Sequence, residues 1–218
     1  MTEITTLFWD VGGVLLSNGW DRALRRQAAD RFGLDWDDFQ ERHDLVAYDF
    51  EVGRITLDNY LKCTVFHRER SFDSTKFKEY MFDSSVPLAG SLDVLSRLAL
   101  ERRYLMATLN NESFELNAHR IERFKLRDYF TFFISSCFVG RRKPEPEIYQ
   151  LALHLSQRAA TECLFIDDRA LNVERARQVG LRAIQFKSPE QLITDLIACG
   201  VTWSSQVLSS RGHSVATS

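Results

Sequence analysis

No run among the 218 residues approaches the ~20 apolar positions that a bilayer-spanning helix needs, so a membrane-embedded protein is not expected. Charge of one sign is also lacking: 28 Lys and Arg stand against 30 Asp and Glu, for a formal net charge of -2. A nucleic-acid or anionic-membrane surface normally needs a basic excess, so neither partner is expected. Cysteine is scarce. Cys63, Cys137, Cys163 and Cys199 show no CxxC spacing, lie mostly in apolar stretches, and predict reduced, buried thiols of a cytoplasmic protein. The opening MTEITTLFWDVGGVLL has no basic start and carries Glu3 and Asp10, unlike a secretory signal. Neither GxGxxG nor GxxxxGK[ST] occurs, which removes the dinucleotide and P-loop readings. The five histidines show no HxxxH spacing and read as surface or packing residues.

What is present is an ordinary globular balance of 44% hydrophobic and 27% charged residues, in a chain long enough for one or two domains. Residues 4–9 form a short apolar strand cut off by Asp10 and the pair Gly12-Gly13. From about 20 to 83 the period is helical. Leu24, Ala28 and Phe32 mark one helix stopped by Gly33, Phe39, His43 and Val46 a second, and Thr56 caps a third. After Pro87, strands at 103–108, 131–135, 162–167 and 182–186 alternate with helices. That alternation predicts an α/β fold with a Rossmann-like parallel sheet, helices on both faces and right-handed crossovers. The expected organisation is a core of 1–16 and 87–203, a helical insert at 17–86, and a Ser-rich, flexible tail at 204–218.

Ligands of such sheets sit outside the carboxyl ends of the strands, so four strand-end segments stand out. Asp10 in FWDVGGVLL either presents a carboxylate to a pocket or simply makes a turn. Thr108 in MATLNN, with the N–H groups after it, either holds an anionic oxygen or caps a turn. Lys143 in RRKPEPEIY either neutralises a phosphate and an aspartate or is a solvated loop lysine. The adjacent carboxylates Asp167 and Asp168 in CLFIDDRALN repel unless a cation is near; hard oxygen ligands of this kind suit Mg2+, although Asp168 alternatively caps the next helix.

Asp, Thr, Lys and Asp-Asp in that order resemble the four motifs of the haloacid dehalogenase-like hydrolase superfamily, over roughly residues 4–187. The insert is similar to that family's C1 cap, and KPEPEIY with IDDxxxN is similar to its bacterial sugar-phosphate phosphatases and epoxide-hydrolase N-terminal domains. The resemblance implies a Mg2+-dependent phosphatase of a small phosphorylated substrate, working through an aspartyl-phosphate. Asp10 is then the nucleophile, and Asp10, the Gly12 carbonyl and Asp168 hold the metal, with Asp167 and Asn172 close by. Lys143 offsets charge, and Thr108 with the Leu109 N–H holds the phosphate oxygens. Oligomeric state, monomer or dimer, stays open.

One position departs from the pattern. Most phosphatases of the family read Asp-x-Asp, and the second Asp moves the leaving-group proton; here it is Gly12. General acid-base catalysis is worth ~10²–10⁴-fold. The substrate then has a good leaving group, or an insert residue such as Asp21, His43 or Asp44 supplies the proton, or the chain is a phospho-ligand-binding pseudoenzyme. A 2-haloacid dehalogenase is least expected, because the Tyr of its first motif and the Ser-Asn of its second are missing. Arg22, Arg25 and Arg26 read as a solvated helix face rather than a pocket wall, and Trp9 as core.

Overall fold

The computed structural model describes residues 2–204. Its centre is a parallel sheet of β1 (Thr6–Trp9), β2 (Leu105–Asn110), β3 (Phe132–Ser135), β4 (Cys163–Asp167) and β5 (Arg182–Gln185), in the order β3-β2-β1-β4-β5. Every residue of β1 and β4 is buried. That is why these strands read as unbroken apolar runs, the mark of a parallel sheet covered on both faces. Leu7, Trp9, Met106, Leu164 and Ile166 pack on one face, and Phe8, Ala107, Leu109, Phe165 and Ile148 on the other. The α/β expectation therefore holds, and Trp9 is core.

The helices outside the insert are α5 (Ser91–Glu101), α6 (Phe114–Arg123), the short α7 (Ser136–Val139), α8 (Pro146–Ser156), α9 (Ala170–Gln178) and α10 (Pro189–Ala198). The last goes beyond the elements expected from periodicity. Ser188 caps it by accepting from the Gln191 N–H, and Pro189 fills its first turn, where a missing N–H costs nothing. The expected flexible tail lies outside the described residues from 205 onward; Ser204 itself donates its N–H to Glu101.

Between β1 and β2 run α1 (Arg22–Phe32), α2 (Trp36–Glu51), α3 (Leu57–Thr64) and α4 (Ser74–Asp83). Asp21, Asp35, Thr56 and Asp73 cap them in turn, each side chain accepting a backbone N–H of the first turn. Gly33 ends α1 at φ 63°, where a glycine avoids the Cβ penalty. These helices gather around an apolar cluster of their own, including Phe39, Phe50, Tyr60 and Phe77, which Leu116 of α6 joins from the other side. The two connections to the insert lie side by side: Ser17 N–H donates to Val86 O and Leu88 N–H to Leu15 O. Two thiols depart from expectation: Cys199 is only half-buried, and Cys63 is exposed on α3, because the apolar positions of that helix are Leu57, Tyr60 and Leu61. Among the described residues, no helix is long and apolar enough to cross a membrane.

Candidate active site

The chain leaves β1 toward β2 on one side and returns to β4 on the other, so the crevice at the C-terminal ends of β1 and β4 is the topological switch point. The register puts Trp9 opposite both Thr108 and Ile166, which makes Asp10 level with Asp167. Asp10 N–H still bonds Ile166 O at 2.9 Å, so the aspartate is held by the ladder one step past the strand.

Lys143 arrives from the loop before α8 and lies between them. Its Nζ is 2.9 Å from Asp10 Oδ2 and 2.6 Å from Asp167 Oδ2, above the Phe165 ring. Asn111 fixes the lysine's backbone by donating to Lys143 O and accepting from Lys143 N–H. Asp167 also accepts two bonds from Asn172 Nδ2 and one from Arg169 N–H. Tyr149 in turn donates to the Asn172 carbonyl.

Burial pushes the Asp10 carboxyl well above the usual carboxylate range; Asp167 adds to this and Lys143 opposes it. Burial works against the Lys143 ammonium, yet the two carboxylates outweigh it and hold its pKa above the ordinary lysine value. Asp168 is also raised, by burial first and then by Asp167. One ammonium thus serves three carboxylates.

The donor set fits a hard divalent cation. Asp10, Asp167 and Asp168 each offer an oxygen, all within 4.8 Å of one another, and Asp168 Oδ1 is buried with no hydrogen-bond partner. Oxygen-only ligands of this number suit Mg2+ with its retained waters. Asp167 has its oxygens engaged by lysine, asparagine and the Arg169 N–H, and Asp10 accepts from the Val11 N–H and holds Lys143, so Asp168 is the carboxylate of the three that keeps an oxygen without a partner. A Cβ on Gly13, at φ 75°, would collide with Asp168 Oδ2, so the carboxylate needs that glycine.

A cavity of about 630 Å³ opens above this floor. Asp10, Gly12, Lys143, Asp168 and Asn172 form its base, and Trp20, Arg22, Arg25, His43 and Phe50 of the insert form its roof. Thr108 and Leu109 do not line it. The strand runs two residues past Thr108, to Asn110, and both residues are fully buried a rung or more below the opening. Asn110 spends its side chain on Asn117 and Ser135, and Asn111 is the residue after β2 that reaches the cavity. Arg25 also departs from expectation. It is buried, donates to the Trp20 carbonyl and to Gln40, and walls the cavity, as Arg22 does. Arg26 instead pairs with Asp30 on the outside.

Of the three insert residues considered as acids, Asp44 accepts from Gln40 and does not line the cavity, while Asp21 lines it but is engaged as the cap of α1. His43 lines it too. Burial, with Arg25 beside it, holds its pKa down at about 4. Glu112 and Arg120, which no motif singled out, form a buried ion pair at 3.1 Å in the cavity wall. The only signal for Glu112 was its place two residues past a strand end.

Fold and site together define an α/β protein with an aspartate–lysine–aspartate centre at its switch point. The family model for haloacid dehalogenase-like hydrolases matches residues 4–180, and the chain belongs to that family of hydrolases. It is 32% identical over 173 residues to flavin mononucleotide hydrolase 1 of Arabidopsis thaliana, covering 78% of this chain and 69% of that protein. D-ribitol-5-phosphate phosphatase of Bacteroides thetaiotaomicron is 27% identical over 193 residues, covering 84% of this chain and 91% of its own. Among solved structures, a HAD family enzyme of the same bacterium, in complex with magnesium and inorganic phosphate, superposes with a TM-score of 0.69 at 23% identity. That match covers 85% of this chain and 95% of the other.

Proposed function

We propose that the protein hydrolyses a small phosphorylated metabolite through an aspartyl-phosphate, with Mg2+ held by Asp10, the Gly12 carbonyl and Asp168. The observation that carries this reading is the Asp10–Lys143–Asp167 bridge beside an unpartnered Asp168 oxygen. That carboxylate lies within a group of three whose ligand oxygens are within 4.8 Å of one another, an accumulation of negative charge that a cation would relieve. The names of the two relatives, a flavin mononucleotide hydrolase and a D-ribitol-5-phosphate phosphatase, support phosphate-ester substrates.

When bound, the metal supplies positive charge against the phosphate and the carboxylates, which lowers the cost of bringing like charges together. This chain's own residues do the rest. Asp10 attacks phosphorus, the bond to the leaving oxygen breaks, and water then cleaves the acyl phosphate to regenerate the carboxylate and release inorganic phosphate. Lys143 keeps Asp10 aligned through its 2.9 Å contact and cancels part of the charge. Asn111, rather than Thr108 and Leu109, lines the cavity at the end of β2, where its side chain holds the Lys143 backbone in place. The roof of the insert acts as the cap that excludes water and selects the substrate.

The test is turnover of p-nitrophenyl phosphate with Mg2+, with EDTA, and by Asp10→Asn. Activity should vanish with chelation and fall at least ~10³-fold in the variant while its circular dichroism is unchanged. Retention of more than a few per cent of the rate by Asp10→Asn would reject Asp10 as nucleophile. Absence of turnover in the wild type would favour a phospho-ligand-binding role.

A further inference from the structure

Gly12 cannot carry a proton, but a buried carboxylate, Glu112, lines the same cavity and is held by the arginine nearest Gly12. Glu112 Oε2 lies 3.1 Å from Arg120 Nη1, and its Oε1 accepts from the Ser113 N–H at 2.9 Å. A Cβ built on Gly12 would stand 3.6 Å from Arg120 Nη1 and 3.5 Å from the Gly19 nitrogen. A Cβ on Gly19 would collide with Glu112 Oε2. Neither glycine has a positive φ, so the backbone does not require glycine at either position. Gly12 would accept a Cβ at ordinary contact distance, whereas the missing side chain of Gly19 makes room for the Glu112 carboxylate. Gly12, Gly19, Arg120 and Glu112 line the same cavity as Asp10.

Arg120 is itself anchored, donating from Nε to Ser85 Oγ at 3.0 Å and from Nη2 to the Ser17 carbonyl at 3.1 Å, one on each connection to the insert. A guanidinium does not release its proton in a protein. Its place here is to aim the carboxylate.

We propose that Glu112 is the proton-transfer residue of this hydrolase, doing from the end of β2 what the family's second aspartate does from position 12. The proposal rests on the phosphatase reading of the same site. In the first half-reaction, the protonated Glu112 gives its proton to the leaving oxygen as the phosphorus–oxygen bond breaks, so an alcohol departs and Glu112 is left as carboxylate. In the second, that carboxylate takes a proton from the water whose oxygen attacks the phosphorus of the aspartyl-phosphate. Phosphate leaves, Asp10 is restored, and Glu112 is protonated again. The balance is one water consumed, one alcohol and one phosphate released. Burial favours the protonated form of Glu112 and Glu51 adds to this, while Arg120 opposes it.

The experiment is kcat/KM with Mg2+ across aryl phosphates of rising leaving-group pKa and one primary alkyl phosphate, for wild type, Glu112→Gln and Gly19→Ala. Glu112→Gln should lose less than ~10-fold on p-nitrophenyl phosphate but ~10²–10⁴-fold on the alkyl phosphate, which needs protonation. Gly19→Ala, whose new Cβ displaces the carboxylate, should show the same split and serves if Glu112→Gln fails to fold. Adding Gly12→Asp to Glu112→Gln should recover the alkyl substrate at least tenfold. A loss equal across the series in both variants would make Glu112 structural and overturn the proposal while the phosphatase reading stands. A steep leaving-group dependence already present in the wild type, or the split appearing in His43→Gln instead, would do the same. A wild type inactive on p-nitrophenyl phosphate rejects the phosphatase reading and the proposal with it.

Discussion

The floor and the roof of the cavity are built on opposite principles. On the floor, Lys143 is shared between Asp10 and Asp167, and Asp168 keeps a buried oxygen without a partner. In the insert, the buried polar groups that meet at Tyr60 are paired with one another. Trp20 Nε1 donates to the Tyr60 hydroxyl at 2.7 Å, and His43 Nδ1 lies 2.9 Å from the same oxygen. An indole nitrogen only donates, so the Tyr60 proton is free to go to His43 Nδ1, and the neutral ring carries its hydrogen on Nε2. Phe50 stacks on Tyr60 at 4.1 Å, within a cluster that includes Phe39 and Phe77. The floor holds charge that only a ligand relieves, whereas the roof holds shape. Concentrated electrostatic imbalance marks the site of chemistry, and a satisfied network marks the surface that encloses it.

The largest break in this contrast should come from Lys143→Met. It leaves Asp10 and Asp167 facing each other without a cation, and stripping one partner from a buried pair costs about 3–5 kcal/mol. Urea unfolding should show that loss alongside the loss of turnover. Adding Asp167→Asn should recover much of the stability and none of the activity. A Lys143→Met protein as stable as wild type would mean the floor is not strained.

Much of that floor was legible in the sequence, because β/α alternation marks strand ends and strand ends carry ligands. Asp10, Lys143, Asp167 and Asp168 were each found in this way. Thr108 was misplaced by two residues, because the strand runs on to Asn110. Asn110 is a poor strand former, and only Asn117 and Ser135, from other elements, hold it in β2. The roof was far less legible. Arg25 looked like a solvated helix position, since the Trp20 carbonyl and Gln40 that bury it are not visible in a helical period. Arg120 lies near Gly12 and Gly19 and pairs with Glu112 against Gly19, and that approach of segments distant in sequence exists only in the fold.

The next effect is a pH dependence located in the roof. His43 has a pKa of about 4 in the fold against 6.5 in a free chain, because burial disfavours the imidazolium. Between these values the unfolded chain binds the extra proton, so stability is full above pH 6.5 and falls as the pH drops toward 4. The slope is about 1.4 kcal/mol per pH unit, for a total near 3 kcal/mol. Unfolding free energies of wild type and His43→Gln at pH 7 and 4.5 isolate this contribution, since the variant should lose less on acidification. Equal losses would show that His43 is not held neutral, and that the roof is less well satisfied than the floor contrast requires.

The smallest effect concerns the contact joining the two regions. Arg142, next to Lys143, reaches Glu51 at the end of α2 at 2.8 Å and stands over the Tyr48 ring at 4.7 Å. Both charged side chains are about a third exposed, at 34% and 38%, so solvent screens the pair and its worth is ~0.2–1 kcal/mol. The insert is also held to the core by Leu116 inside its apolar cluster and by Ser136 Oγ donating to the Glu51 carbonyl at 2.6 Å. Neither of these contacts depends on the arginine. Arg142→Ala should therefore lower the unfolding free energy by about 1 kcal/mol or less, and by less still in 0.5 M salt, where exposed pairs weaken. A loss above about 3 kcal/mol, or a separate early unfolding step of the insert, would place the attachment of roof to floor in this ion pair rather than in the apolar seam.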